Sequence, residues 1–450
     1  ICDWLEEKEI NKIDRLIHNA GIGYYGPPED EAASHIVDLL QTNLKSPIAI
    51  TWDLLNKVEA ARGRVVFVSS VLSVMPGADL ASYNASKAAL DGFARSLAAE
   101  MGERVEVQVL HPGATQTPMH AKVGLPKEKI DYTRFPAAAG VAEEMVKAIE
   151  GRNRLHVTIG TSNKLLRSVG RSAGRLVEWG MRRQQEDKSR AGNMVAPTAL
   201  VTGSADGIGR ALTLKLARAG YSVIGVDIDE TKGEALNYAL NGRFSFIKAD
   251  LTSAADIQHV IERVKEIGPL EFLVNNAGIS AVGQFEEIPL DRQLKVVDLN
   301  LTAPLLLTTG LLKAGLLLPG HRVTYISSLS YYVGYPGAAV YAASKDGLSS
   351  FAASMHAARR LGGYSTTVYP GPVRTDHARR YSPDNSREDR RMSPDELAEI
   401  VVRGLESGRR TIWPGGGAKL FALTGTLFPK LAEGMMKRVI FDKLDGEVLQ

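Results

Sequence analysis

The chain has 450 residues, 44% hydrophobic and 23% charged, with a formal net charge of +3, which is ordinary globular composition and enough length for two or three domains. So small a charge over so long a chain leaves no basic footprint for nucleic acid. A single cysteine, Cys2, excludes an intrachain disulfide framework and suits a reducing cytoplasm.

No charged stretch leading into an apolar run and a small-residue cleavage site opens the chain, so no secretory leader is read there. The first residue is Ile1 rather than Met, which leaves the natural start open. In chain order, the first landmarks are Asn19-Ala20-Gly21 after His18, the long block Arg64–Leu97, and Pro112-Gly113 with Thr117. Each returns. Asn275–Gly278 lies 257 positions after His18–Gly21, while Arg322–Met355 and Tyr369–Thr375 lie 258 positions after Arg64–Leu97 and His111–Thr117. Chance does not keep three motifs in register, so the chain reads as a tandem duplication. Residues 1–183 form the first copy, the polar stretch 184–196 a linker, and residues 197–450 the second.

The second copy opens with a short apolar run, Thr198–Thr202, a glycine-rich turn and apolar residues at helical spacing over Ile208–Ala219. β-rich runs follow at Ser222–Val226, Phe244–Ile247, Phe272–Val274, Val323–Ser327 and Thr366–Val368, with helical segments such as Ile257–Ile267 and Ala342–Leu361 between them. Pro304–Pro319 is apolar, but it is too short for the roughly 20 residues of a membrane span and is interrupted by Lys313, so it reads as a buried helix. Strands alternating with helices imply an α/β fold: two Rossmann-like, doubly wound parallel-sheet domains in tandem. The first is incomplete, because its equivalent of Thr202 would precede residue 1.

The turn Thr202–Gly209 contains Gly203, Ser204, Asp206, Gly207, Ile208 and Gly209 between a strand and a helix, where backbone can approach a pyrophosphate at the helix N-terminus. Asp227 ends the next strand about 20 residues on, where a carboxylate bonds a ribose 2′-hydroxyl and repels a 2′-phosphate. Asp206 is expected to add repulsion; the competing reading is a capping residue on a solvated turn. NAD(H) is therefore favoured for the second copy, with NADP(H) left open. Ser328 stands thirteen residues before Tyr341, and Lys345 four after it; Ser70, Tyr83 and Lys87 repeat both spacings. Four residues apart on a helix share a face, so each lysine can sit beside its tyrosine and make the phenol usable as an acid or base.

With these motifs together, both repeats resemble the short-chain dehydrogenase/reductase family. The resemblance implies that Gly203, Gly207 and Gly209 cradle the cofactor phosphates and that Asp250-Leu251 meets the adenine. Asn276-Ala277-Gly278 would line the central strands beside the cofactor, and Pro370, Gly371 and Thr375 the nicotinamide end. Asn300, Ser328, Tyr341 and Lys345 would form the catalytic tetrad. The first copy offers Asn43, Ser70, Tyr83 and Lys87, with Asn19-Ala20-Gly21, Pro112, Gly113 and Thr117 beside them; whether it binds cofactor is open. Its complete tetrad is easier to explain if the natural protein carries about 55–65 further N-terminal residues, enough for one βαβ unit.

The resemblance implies hydride transfer between a secondary alcohol or ketone and a nicotinamide, with no metal among the site residues. It also implies two repeats packed as a pseudo-dimer, with homo-oligomers open. The segment Thr375–Leu397 has Arg379 and Arg380, with Arg374 just before it, near the expected nicotinamide pocket, and is read as a solvated lid before an anion clamp. Lys164–Arg183 and Lys419–Lys443 are basic and apolar. Domain packing is their first reading, and a peripheral membrane contact or a roof over a hydrophobic substrate the others. The competing functions are a single catalytic domain with a non-catalytic partner, or an NAD-binding sensor or scaffold.

Overall fold

The computed structural model describes residues 1–123, 131, 134–161, 163, 164, 167, 197–444 and 446–449. The expected linker, 184–196, and nearly all of the Lys164–Arg183 segment lie outside the described residues.

Two parallel sheets organise the chain. The first has the order β1-β2-β3-β4, built from Arg15–His18, Arg64–Val68, Glu106–His111 and His156–Thr158. The second comprises β5 (Thr198–Thr202), β6 (Ser222–Asp227), β7 (Phe244–Lys248), β8 (Leu270–Asn275), β9 (Leu317–Ile326), β10 (Tyr364–Val368) and β11 (Thr411–Ile412), in the order β11-β10-β9-β8-β5-β6-β7. All its pairings are parallel, as alternating strands and helices require. The order turns back at β5, which lies between β8 and β6, and ligands of open α/β sheets bind at such a switch point.

By sequence offset β1–β4 answer β8–β11, and no strand answering β5–β7 occurs among the described residues of the first copy. Burial registers the difference. Ile17 of β1 is 47% exposed, whereas its counterpart Val274, flanked by β5, is fully buried.

Two of the sequence boundaries need correction. The run Pro304–Pro319 is helical only within Ala303–Lys313; Gly315, at positive φ, ends that helix and Leu317–Pro319 begin β9. The stretch Leu290–Lys313 is apolar and long enough to cross a membrane, but most of it is buried in the core. The helix expected over Ala342–Leu361 runs Ala339–Ala358 and stops where Arg359 turns left-handed at φ 44°.

The copies share one core. The Tyr83 helix (Ala81–Met101) and the Tyr341 helix (Ala339–Ala358) are rich in Ala and Ser and buried around most of their circumference. They meet where a Cβ on Gly92 would stand 2.4 Å from Asp346 Oδ2, and one on Gly347 3.0 Å from the Ala85 carbonyl. Only hydrogen fits at either position, so the backbones approach closely. Phe93 and Phe285, one from each copy, pack with ring centroids 5.4 Å apart inside a cluster that draws on both. Lys45 donates to Asp298 at 2.9 Å, and Trp52 Nε1 to the Ile288 carbonyl at 3.0 Å.

Glu100 is a deeply buried acid at this interface, accepting the Phe285 and Gly337 amides at 2.5 and 2.9 Å. Burial, opposed by those two bonds, pushes its carboxyl up to about 7. Between pH 4.5 and 7 the folded chain therefore holds a proton that the unfolded chain has released. Stability from this group is full below that window and falls as pH rises through it, by roughly 3 kcal/mol. Denaturant melts across the window should show this slope in the wild type and not in Glu100→Gln; parallel slopes would refute the assignment.

Candidate functional site

Each tetrad is assembled by the same local devices. Ser328 follows β9 and its Oγ accepts the Ser330 amide at 3.2 Å, capping a 3₁₀ turn; Ser70 follows β2 and accepts the Leu72 amide at 3.2 Å. Lys345 Nζ donates to the Ile326 carbonyl at 2.9 Å and lies 5.8 Å from the Tyr341 ring centre. Lys87 donates to the Val68 carbonyl at 3.0 Å and lies 5.9 Å from the Tyr83 ring. Asn300 and Asn43 are both buried in single π-helical turns, Asp298–Thr302 and Gln41–Lys45. Such turns widen a helix by one residue and re-aim a side chain. Asn300 bonds both ways to the Ile279 backbone at 2.9 Å and to Ser344 Oγ at 3.1 Å. Asn43 does the same with Ile22 at 2.9 Å and Ser86 at 3.0 Å.

The electrostatics also match. Burial lowers the Lys345 and Lys87 amines to about 8, so both are cationic at neutral pH. Burial raises the Tyr341 and Tyr83 phenols, against hydrogen bonds from Ser328 and Ser70 that pull them down. Desolvation is the larger influence on each phenol, which is protonated at neutral pH.

In the second copy the glycine-rich turn lies over the switch point. A Cβ on Gly209 would stand 1.8 Å from the Gly203 carbonyl, and Gly203 itself has φ +65°, so backbone, not side chain, fills the cradle at the N-terminus of the Gly207–Arg218 helix. Ser204 is fully buried, Ile208 packs on the apolar cluster behind β5, and a Cβ on Gly207 would meet Thr375 Cγ2 at 3.3 Å. Asn276 Nδ2 donates to the Thr202 and Gly203 carbonyls at 3.0 and 3.2 Å, and the Asn276 and Ala277 amides both reach Thr202 Oγ1 at 3.0 Å. Gly278 separates Asn300 from Lys345: its Cβ would lie 3.0 Å from Asn300 Oδ1 and 3.4 Å from Lys345 Nζ. A dinucleotide fits this cradle.

Asp227 accepts the Ala205 amide at 2.9 Å and the Asp229 amide at 3.0 Å, fixing its carboxylate beside the turn. Asp206 departs from expectation. It caps the Gly207–Arg218 helix and pairs with Lys232, so its charge is neutralised and it adds no repulsion. Asp250 turns its carboxylate back to Thr252, at 2.9 Å from the amide and 2.7 Å from the hydroxyl, beside buried Leu251. The Pro370 carbonyl accepts the Leu329 amide at 3.4 Å, Gly371 faces Leu329, and Thr375 caps the Asp376–Arg380 helix. Arg379 pairs with Asp376 and Glu388, which fits a solvated lid.

The first copy keeps the lower half of this arrangement. A Cβ on Gly21 would lie 3.3 Å from both Asn43 Oδ1 and Lys87 Nζ, but Asn19, Ala20 and Gly21 are exposed where Asn276–Gly278 are half-buried. Pro112 accepts the Val71 amide at 3.1 Å, a Cβ on Gly113 would collide with Asn163, and Thr117 is exposed.

Two groups escaped the sequence reading. His377, two residues after Thr375, is exposed on the Asp376–Arg380 helix, with the Lys345 and Arg380 cations nearby. Behind Ser70, His111 Nδ1 meets the Ser70 carbonyl at 3.2 Å and its Nε2 meets His156 Nδ1 at 3.1 Å, with Asp91 close by. Only the pairing of β3 with β4 brings these two histidines together.

Comparison with known proteins agrees with this geometry. The family model described as short chain dehydrogenase matches residues 5–128 and again 197–386. The 3-oxoacyl-(acyl-carrier-protein) reductase FabG of Escherichia coli (strain K12) is 32% identical over 196 residues, 43% of this chain and 80% of that protein. The 1-deoxy-11-beta-hydroxypentalenate dehydrogenase of Streptomyces exfoliatus is 32% identical over 237 residues, 49% of this chain and 84% of that protein. A solved short-chain dehydrogenase from Streptomyces avermitilis is 27% identical, covering 55% of this chain and 97% of that one, with a TM-score of 0.47. With its motifs matched in two separate stretches, the chain belongs to the short chain dehydrogenase family, nicotinamide-dependent oxidoreductases of CH–OH and C=O groups.

Proposed function

We propose that the second copy interconverts a secondary alcohol and a ketone with NAD(H), Tyr341 serving as acid and base, and that the first copy holds a second tetrad for the same chemistry. The observation that carries this reading is the duplicate hydrogen bonding of Asn300, Ser328, Tyr341 and Lys345 by Asn43, Ser70, Tyr83 and Lys87. Binding alone, as in a sensor or scaffold, does not need a buried lysine beside a half-buried tyrosine.

The bound nicotinamide supplies or accepts the hydride at the substrate carbon. Gly203, Gly207 and Gly209 hold its phosphates, and Asp227 its adenosine ribose. Ser328 Oγ orients the substrate oxygen, and the neutral Tyr341 phenol donates a proton to that oxygen as negative charge develops on it. Lys345, cationic at neutral pH, stabilises the phenolate that remains. Asn300 locks the Ile279 backbone so that Gly278 and Lys345 keep their spacing. A protonated resting phenol suits ketone reduction. The apolar cluster of Val282, Ala338 and Leu444 around Tyr341 favours a hydrophobic ketone, in line with the oxoacyl and hydroxypentalenate names of the relatives.

Calorimetric titration with NADH and NADPH tests the reading. NADH should bind tighter, and Asp227→Ala should narrow the preference by about tenfold, or 1.4 kcal/mol. Tighter NADPH binding by the wild type would overturn the NAD(H) assignment, and binding of neither would overturn the oxidoreductase reading.

A further inference from the structure

Near the C-terminus the usual arrangement of amphipathic helices is inverted. In Gly416–Leu427 the residues that face the protein are small: Ala418, Ala422 and Gly425 are buried, and a Cβ on Gly425 would stand 2.7 Å from the Tyr332 carbonyl. Leu420, Leu423 and Leu427, at the opposite helical positions, are 65%, 41% and 60% exposed. The next helix, Pro429–Val439, buries Ala432 and turns outward Leu431, Met435 and Val439, a stripe at four-residue spacing. Phe428, at the corner between the two helices, is 61% exposed. Seven large apolar side chains on one hairpin exceed the scattered exposure of ordinary surfaces and mark something that covers them.

Charge identifies the cover. Lys419, Lys430 and Arg438 are exposed, and Lys437 lies 5.8 Å from the Phe441 ring centre. The hairpin's one carboxylate, Glu433, is turned inward against Gly334 and the Arg95 cation. A second copy meeting this face across a twofold axis would oppose like charges, because such an interface joins the same patch to itself. An anionic lipid surface satisfies both the apolar stripe and its cations.

We propose that the Gly416–Val439 hairpin docks on a membrane surface containing anionic phospholipid, with Leu427, Phe428 and Leu431 entering the acyl boundary and Lys419, Lys430 and Arg438 at the headgroups. The chain beyond it supports this placement: Phe441 and Leu444 pack with Tyr335, Tyr341 and Tyr381, so the docked face adjoins the second tetrad. Docking does not depend on the reaction proposed above.

Flotation of the full chain with phosphatidylcholine vesicles, with and without phosphatidylserine, tests it. Anionic vesicles should carry the protein and neutral ones much less, the difference shrinking at high salt. Leu427→Asp with Phe428→Asp should weaken binding by about tenfold or more, and Lys430→Glu with Arg438→Glu should remove the preference for phosphatidylserine. Both double variants should keep the wild-type melting temperature and NADH affinity. Failure to float with anionic vesicles at low salt would overturn the proposal, as would flotation indifferent to both double variants. A wild-type dimer that Leu427→Asp with Phe428→Asp converts to monomer would assign the face to a second copy instead.

Discussion

Tyr341→Phe is expected to lower kcat/KM for ketone reduction at the second site by about 10²- to 10⁴-fold while leaving NADH affinity unchanged. The substitution removes one hydroxyl from a half-buried ring, and with it the proton donor. Ser328 still orients the substrate oxygen, and the glycine cradle does not touch the phenol. The stability cost is small, because the lost hydroxyl made one bond, to Ser328. Lys345 remains anchored to the Ile326 carbonyl. Single-turnover rates with a panel of hydrophobic ketones would read the loss directly. A kcat/KM within a few-fold of wild type would remove Tyr341 from the acid role. Tyr83→Phe is the parallel measurement: a substrate whose turnover falls only in that variant makes the chain bifunctional, and no effect on any substrate leaves the first copy as a partner domain.

Arg95→Ala is expected to destabilise the folded chain by about 3 kcal/mol and to impair the second site more than the first. The Arg95 guanidinium crosses between the copies to donate to Asp346 at 2.7 Å and to the Ser330 and Tyr331 carbonyls at 3.2 Å. Asp346 follows Lys345, and Ser330 supplies the amide that Ser328 caps. Truncation leaves a buried carboxyl and two carbonyls without their donor. Burial already pushes the Asp346 carboxyl up to about 8 despite Arg95. Without the cation it rises further, so the variant should lose stability relative to wild type as pH rises through about 8, where the wild-type carboxyl ionises beside Arg95. Denaturant melts at two pH values, with kinetics at each site, check this. A deficit below about 1 kcal/mol, or equal impairment of both sites, would show that the ion pair is not what braces the second tetrad.

The sequence by itself determined the duplication, the α/β class, the two tetrads and the glycine-rich turn. Each rests on local patterning: period-two and period-3.6 apolar spacing, residues four apart on one helix, and glycines where backbone must approach backbone. It misplaced the end of the Tyr341 helix and read Leu317–Pro319 as helix, because a short apolar run does not reveal whether strand pairing or helical packing will claim it.

Charge balance was less legible. Asp206 looked like a free acid until Lys232, 26 residues on, lay beside it. Burial raises the Tyr341 phenol, an effect that its spacing from Lys345 does not record. What only the tertiary structure decided are the contacts between distant residues: Arg95 with Asp346, Glu100 on the Gly337 amide, His111 against His156, and the outward-facing leucines of the last hairpin. The physical reason is common to all of them. Solvation and pairing depend on which surfaces meet, and no periodicity along the chain records that.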